Sequence, residues 1–219
     1  MAYIPPLSAL LLLLFLFYLS VSGQQTTLSN DFNSVGTDTT TTSELLAIGH
    51  RWRIQDMGSS GRRSNWLVDN GRLKQTQGSC DNNYNSLLLT GGGGRGWSDY
   101  CVSIKLIPDN GCSNFDSGIV LRHMNEHNYY RVSLQRSSGS YTLRLNKIAS
   151  NSETTLTSKS ISSSAQTIMA CVAGNYFSIF HGTTDTGTTP YMTYYDSSSP
   201  IFYTGAVGVS CRGRPCQYD

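Results

Sequence analysis

The sequence predicts an all-β fold of the sandwich or barrel kind. Three observations carry this. No long segment keeps a helical period. Short runs alternate apolar and polar residues with a period of two, which puts one face on a core and one toward water. Gly, Asn, Asp and Ser break those runs at close, regular spacing.

Along the chain, the first element is a targeting segment over residues 1–23. Residues 10–19 read LLLLLFLFYL, and Val21, Ser22 and Gly23 supply small residues at the cleavage positions. The mature domain is therefore expected to span 24–219, to begin at Gln24 and to be secreted, with no membrane insertion after cleavage. Residues 1–7 hold no Lys or Arg, so a signal anchor is the alternative. Pro5, Pro6, Ser8 and Ser20 shorten the apolar stretch such an anchor would use.

Strand-like runs then follow at 86–90, 100–107, 118–122, 129–136, 141–147, 168–173, 176–181, 191–195 and 205–211. In the second of these Tyr100, Val102, Ile104 and Leu106 share one side, and Cys101, Ser103 and Lys105 the other. Residues 91–96 (GGGGRG) read as a connector; as a phosphate cradle the run lacks the following Lys-Ser/Thr and helix. Residues 125–128 read as a hairpin turn. His123 and His127 therefore do not converge as metal ligands, which at that spacing requires a helix.

The six cysteines are Cys80, Cys101, Cys112, Cys171, Cys211 and Cys216. An even number in an exported chain implies three disulfides. The pairing of Cys80, Cys101, Cys112 and Cys171 stays open. Cys211 and Cys216 are separated by a four-residue turn that brings them within bridging distance. The charged fraction is 14% and the formal net charge +2. With no clustered Lys and Arg, nucleic acid is excluded as a partner.

Several segments together carry a family likeness. Leu28-Ser29-Asn30-Asp31-Phe32 precedes His50-Arg51-Trp52-Arg53-Ile54-Gln55-Asp56. Asn65-Trp66-Leu67-Val68-Asp69-Asn70-Gly71-Arg72-Leu73 and Trp97-Ser98-Asp99-Tyr100 come next. Ser117-Gly118-Ile119-Val120-Leu121-Arg122, the Gly174-Asn175 turn and Thr204-Gly205-Ala206-Val207-Gly208-Val209 close the series. This order resembles the concanavalin A-like lectin/glucanase superfamily in its laminin-G-like branch. The resemblance implies a jelly roll of two antiparallel sheets, one concave and one convex. It also implies a final strand starting near Tyr218-Asp219, part of which the chain is expected to lack, leaving an open edge there. Members that hold calcium do so where first and last strands meet; Asp31 and Asp219 are the matching positions, with turn roles as the alternative.

The superfamily holds binding modules and enzymes alike, so the site must decide. Its hydrolases carry Glu-x-Asp-x-x-Glu or a close variant. Glu44, Glu126 and Glu153 are the only glutamates and none lies in such a motif. Asp109 and Asp116 read as loop residues flanking Cys112. Residues 117–122 also resemble a strand of the 3-keto-disaccharide hydrolase-like branch, where an Arg faces the cleft, but its acidic companion is missing from 100–108.

Alternation places Arg122, Tyr129, Arg131, Gln135 and Arg144 on one exposed, concave face. An aromatic ring among Arg and Gln donors suits a sugar, and the fork of Arg suits an acidic sugar better than a neutral one. The expected function is a secreted binding module for carbohydrate. The alternatives are an extracellular protein-interaction module and, behind it, the hydrolase-like enzyme. The bland reading of the same residues is a solvated polar face with Arg stems covering apolar surface.

Overall fold

The computed structural model describes residues 52–57, 64–69, 72–76, 85–90, 96–107, 114–162, 166–184, 186–213 and 216–219. The leader, Asp31, Glu44, Cys80, Asp109 and Cys112 lie outside them.

The described strands, in chain order, are β1 (Trp52–Met57), β2 (Trp66–Asp69), β3 (Arg72–Gln75), β4 (Asn85–Thr90), β5 (Tyr100–Ile107), β6 (Phe115–Asn125) and β7 (Asn128–Ser137). They continue with β8 (Ser140–Ala149), β9 (Ser152–Ile161), β10 (Gln166–Ala173), β11 (Tyr176–His181), β12 (Met192–Tyr195), β13 (Ala206–Arg212) and β14 (Cys216–Tyr218). They form two antiparallel sheets, ordered β1-β4-β13-β6-β7-β8-β9 and β12-β11-β10-β5-β14-β3-β2. The fold is the two-sheet antiparallel sandwich the sequence predicts.

Between the sheets lies the main core. Ile119, Val132, Leu134, Leu143, Leu145 and Val209 of the first sheet meet Trp66, Leu73, Leu106, Ile168, Val172, Phe177 and Ile179 of the second. The predicted alternation of β5 holds, with Leu106 buried and Tyr100, Val102 and Ile104 packed on the core. Trp66 is fully buried, and its indole N–H donates to Ser86 Oγ across the sandwich at 2.9 Å. A buried indole needs such a partner.

Two disulfides fall among the described residues. Cys211–Cys216 forms as the short turn predicts and ties β13 to β14, one strand from each sheet. Cys101–Cys171 joins directly opposed residues of β5 and β10. Strand β14 is not an edge strand. Strand β14 lies between β3 and β5 and pairs with both, and Asp219 exchanges two backbone hydrogen bonds with Lys105. The final strand is inserted into the sheet rather than laid on its rim, so the described part of it is not the edge strand that was expected.

At one end of the core the ammonium of Lys147 donates to Asp196 Oδ2 at 2.7 Å and to the Ser198 carbonyl at 2.6 Å. The Tyr130 hydroxyl donates to the same carboxylate oxygen at 2.6 Å. This buried network pins β7 and β8 to the segment that follows β12.

Candidate functional site

The site residues follow from the other face of the first sheet. On that face alternation puts Asp116, Gly118 and Val120 of β6 beside Gln135, Ser133 and Arg131 of β7. Arg131 in turn faces Asn146, and Ser133 faces Arg144, both of β8. Gly118 is required there: a Cβ would meet the Val132 carbonyl oxygen at 2.0 Å.

The face is concave, and one contact proves it. Arg212 of β13 and Glu153 of β9 stand four strands apart in the sheet order. A flat sheet would separate them by about 19 Å. Their Nη1 and Oε2 atoms are 2.8 Å apart. The sheet must curl strongly to bring them together. A groove of about 460 Å³ lies between Arg53, Ile54 and Gln55 of edge strand β1 and residues 124–127 at the β6–β7 turn.

Curvature corrects one expectation about this face. It was expected to be solvated, yet Arg131 is 1% exposed and Tyr129 2%. Leu87, Leu89, Val120, Tyr129 and Ile148 form a second, smaller apolar cluster here. Gln135 and Arg144 are the half-buried members of the predicted set.

Arg131 sits at the centre of an ion cluster. Its Nη2 donates to Asp116 Oδ2 and to Glu153 Oε1, each at 2.8 Å. Arg212 adds the second guanidinium, and Asn146 Nδ2 donates to Glu153 Oε1 at 2.9 Å. Burial alone pushes the Glu153 carboxyl up; the Arg131 and Arg212 charges outweigh it and hold the group below its ordinary value. The Arg131 guanidinium is likewise held more firmly protonated, because Asp116 and Glu153 outweigh its desolvation. Several polar atoms of the face are buried without a partner among the described residues: Arg131 Nε and Nη1, Asp116 Oδ1, Asn146 Oδ1, Ser133 Oγ and Ser210 Oγ.

Asp116 and Glu153 escaped the sequence reading for different reasons. Asp116 was expected in a loop but lies inside β6, with its side chain 5% exposed. Glu153 stands in β9, whose Ser/Thr-rich sequence carries no apolar alternation. Only the antiparallel pairing of β8 with β9 brings it to the face.

Arg122 does not belong to this group. A register shift between Leu121 and Asn125, with φ of 48° at Arg122, turns its side chain away from the concave face. It is fully buried, and its guanidinium donates to the carbonyls of Ser98, Gly174 and Phe202 and to Asp99 Oδ1. The cleft-facing Arg implied by the hydrolase-like resemblance is therefore a clamp on three loops. Of the predicted calcium pair, Asp219 lies against the ammonium of Lys105. Among the described residues no three His, Cys, Asp or Glu side chains gather as a metal set.

No protein-family profile matches the chain, and no curated relative was found. Solved structures do share its fold. A carbohydrate-binding module from Bacillus subtilis, CBM66, superposes with a TM-score of 0.55 at 11% identity, covering 77% of this chain and 91% of that one. A glycosyl hydrolase family protein from Mycobacterium fortuitum gives 0.52 at 14% identity over 88% and 96%. A GH43 protein from Bacillus licheniformis, BlXynB, gives 0.56 at 15% identity over 89% of this chain, which spans 39% of that larger one. At these identities the likeness establishes the β-sandwich fold.

Proposed function

We propose that the protein is an extracellular carbohydrate-binding module that takes a glycan on the concave face of its first sheet. The observation that carries the reading is Arg131, a fully buried guanidinium beneath that face with two nitrogens that have no partner among the described residues. A buried donor left unpaired costs roughly 1–3 kcal/mol, and a polyhydroxylated ligand that reached it would remove that cost. Gln135 and Arg144 are the half-buried polar side chains of the same face, whereas Tyr129 is buried and packs beneath it. Arg122 is left out, since its donors are already spent. The disulfides and the leader-like residues 1–23 support an exported protein.

Binding is preferred to hydrolysis on electrostatic grounds. Asp116 and Glu153 reach the same Arg131 nitrogen, so their separation is one a retaining glycosidase could use. Such an enzyme needs one carboxyl that holds a proton near neutral pH. Glu153 is pushed the other way, and Asp116, the other carboxyl, is buried in ion pairs with Arg131 and Arg212 rather than presented to a glycosidic oxygen.

The alternative of a protein-interaction module rests on a different surface. Tyr176 and Tyr195 are directly opposed on β11 and β12, and both are exposed. Exposed tyrosines are enriched in protein interfaces.

A glycan array probed with the wild-type protein and with Arg131→Met separates the two. Selective signal that the substitution abolishes is the expected result; because Arg131→Met leaves Asp116 and Glu153 without their buried cation, Arg144→Ala, which keeps the cluster, is run beside it and should weaken the same signal. Silence across the array would sink the carbohydrate reading and leave the tyrosine surface as the place to look.

A further inference from the structure

A ligand on the concave face meets the side chains that reach its surface, not the ion cluster beneath it. That cluster is balanced within itself, with Arg131 and Arg212 each paired to Asp116 and Glu153. Arg122 is also out of play, its guanidinium matched to backbone carbonyls elsewhere. Of the three arginines read from the sequence, Arg144 is the one whose charge is not cancelled. It is half-buried on β8 and has no ion pair among the described residues.

The strand register fixes its surroundings. Arg144 lies between Ser133 of β7 and Ser158 of β9. Thr142, two residues along β8, lies between Gln135 and Ser160. Directly opposed residues, and residues two apart on a strand, share one face of a sheet. Gln135 and Thr142 are half-buried, Ser158 and Ser160 are exposed, and Ser133 is buried. The accessible groups around the guanidinium are thus hydroxyls and one amide, each able to donate, with no carboxylate among them. The opposite rim differs: Arg53 of β1 and Glu126 line the same groove there, so both signs of charge are present.

We infer that the glycan is an acidic polysaccharide, with an anionic group seated on Arg144 among Gln135, Thr142, Ser158 and Ser160. This step rests on the concave face being the glycan site. A guanidinium holds a carboxylate or a sulfate ester through two parallel N–H···O bonds. The surrounding hydroxyls and the Gln135 amide can donate to the oxygens that Arg144 leaves free. No acid stands beside Arg144 to repel the incoming charge, and its half-burial leaves the pair less screened than in bulk water. A neutral sugar would find the same hydroxyls but gain nothing from the charge. The preference for an acidic sugar therefore rests on one arginine and its neighbours, not on the three that the sequence offered.

The test is affinity electrophoresis through two matched pairs of polymers. Polygalacturonate is compared with its methyl ester, and dextran sulfate with dextran, so that carboxylate and sulfate are scored separately against the same uncharged backbones. Each is run at about 20 mM and about 500 mM NaCl, a range over which screening changes greatly. The wild type should be retained by at least one acidic polymer, more strongly than by its neutral counterpart, with affinity falling at least about fivefold at the higher salt. Arg144→Ala should weaken that retention by roughly threefold to tenfold, and Arg144→Lys, which keeps the charge but loses the fork, should restore part of it. The net charge of the chain is +2, so simple ion exchange must be separated from a site. Arg72→Ala removes the same charge from an exposed position of β3 in the second sheet, and should stay within about twofold of wild type. Equal losses in Arg72→Ala and Arg144→Ala would overturn the inference, because net charge alone would then account for retention. Retention by a neutral polymer as strong as by its acidic partner, or selective array binding of a neutral glycan with no retention on either acidic polymer, would overturn it while keeping the glycan site. Silence on all four polymers and on the array would overturn the glycan site itself.

Discussion

Arg122 and Arg131 lie on neighbouring strands, both are buried, and they do opposite things with the same functional group. The five donors of Arg122 meet five acceptor contacts, four of them to backbone carbonyls, in three loops. Arg131 uses one nitrogen for two carboxylates and leaves the other two unpaired. The difference teaches how to read a buried cation. A guanidinium whose donors are all matched to backbone is spent on holding the chain in place. One that is charge-balanced but geometrically unfinished has capacity left for a ligand.

The comparison breaks if Arg122 proves dispensable for folding. Arg122→Met removes every one of those bonds and leaves the carbonyls of Ser98, Gly174 and Phe202 without their donor. A loss of about 4 kcal/mol is expected, seen as a fall in melting temperature of roughly 10 °C for a domain of this size. Arg122→Lys should recover little, because one ammonium cannot span three carbonyl groups. A melting temperature within about 2 °C of wild type would remove the clamp.

Asp196 sharpens the same contrast through pH. It too is buried and saturated, by Lys147, Tyr130 and Ser198. Burial pushes its carboxyl up, but the hydrogen bonds from Lys147, Ser198 and Tyr130 outweigh burial and hold it below its ordinary value. A depressed carboxyl stabilises the fold above its unfolded pKa, and that contribution fades as pH falls through the folded value. Asp196→Asn should therefore be less stable than wild type at pH 7 by about 3 kcal/mol, since Lys147 is left buried and uncompensated. The gap should narrow between about pH 5 and pH 2. Urea unfolding across that range is the measurement, and a gap that stays constant would mean that Asp196 is not tuned as described.

Much of the fold was legible because alternation is a local signal. The span of β5 was read to the residue, and the hairpin turns at 126–127 and 174–175 followed from their turn residues. Strands β1, β2, β3 and β14 were not read, the last three being only three or four residues long, and β9 has Thr and Ser where an alternating strand would carry apolar groups. The face assignment of Tyr129, Arg131, Gln135 and Arg144 held for the same local reason. It failed at Arg122, where a register shift changes which way the side chain points. Burial of the face was illegible, because it depends on sheet curvature. So was the neutral charge of the cluster, which needs the pairing of β6, β7 and β8 with β9 and β13.

The smallest expected effect on stability falls where the two arginines share nothing, at Arg144 and Gln135. Both are half-buried on the concave face, and neither has an ion pair among the described residues. Surface-type positions without such partners change stability by about 0.5 kcal/mol or less. Arg144→Ala and Gln135→Ala should therefore melt within about 2 °C of wild type. Their effect should appear in binding instead. Arg144 stands opposite Ser133, one row along from Arg131, and as a half-buried cation of the same face it is a group a glycan bound there would meet. Loss of one polar contact to the ligand should weaken glycan retention by roughly threefold to tenfold. Unchanged retention in both variants, with Arg131→Met still inactive, would confine the ligand to the other side of Arg131, toward the groove between β1 and the β6–β7 turn.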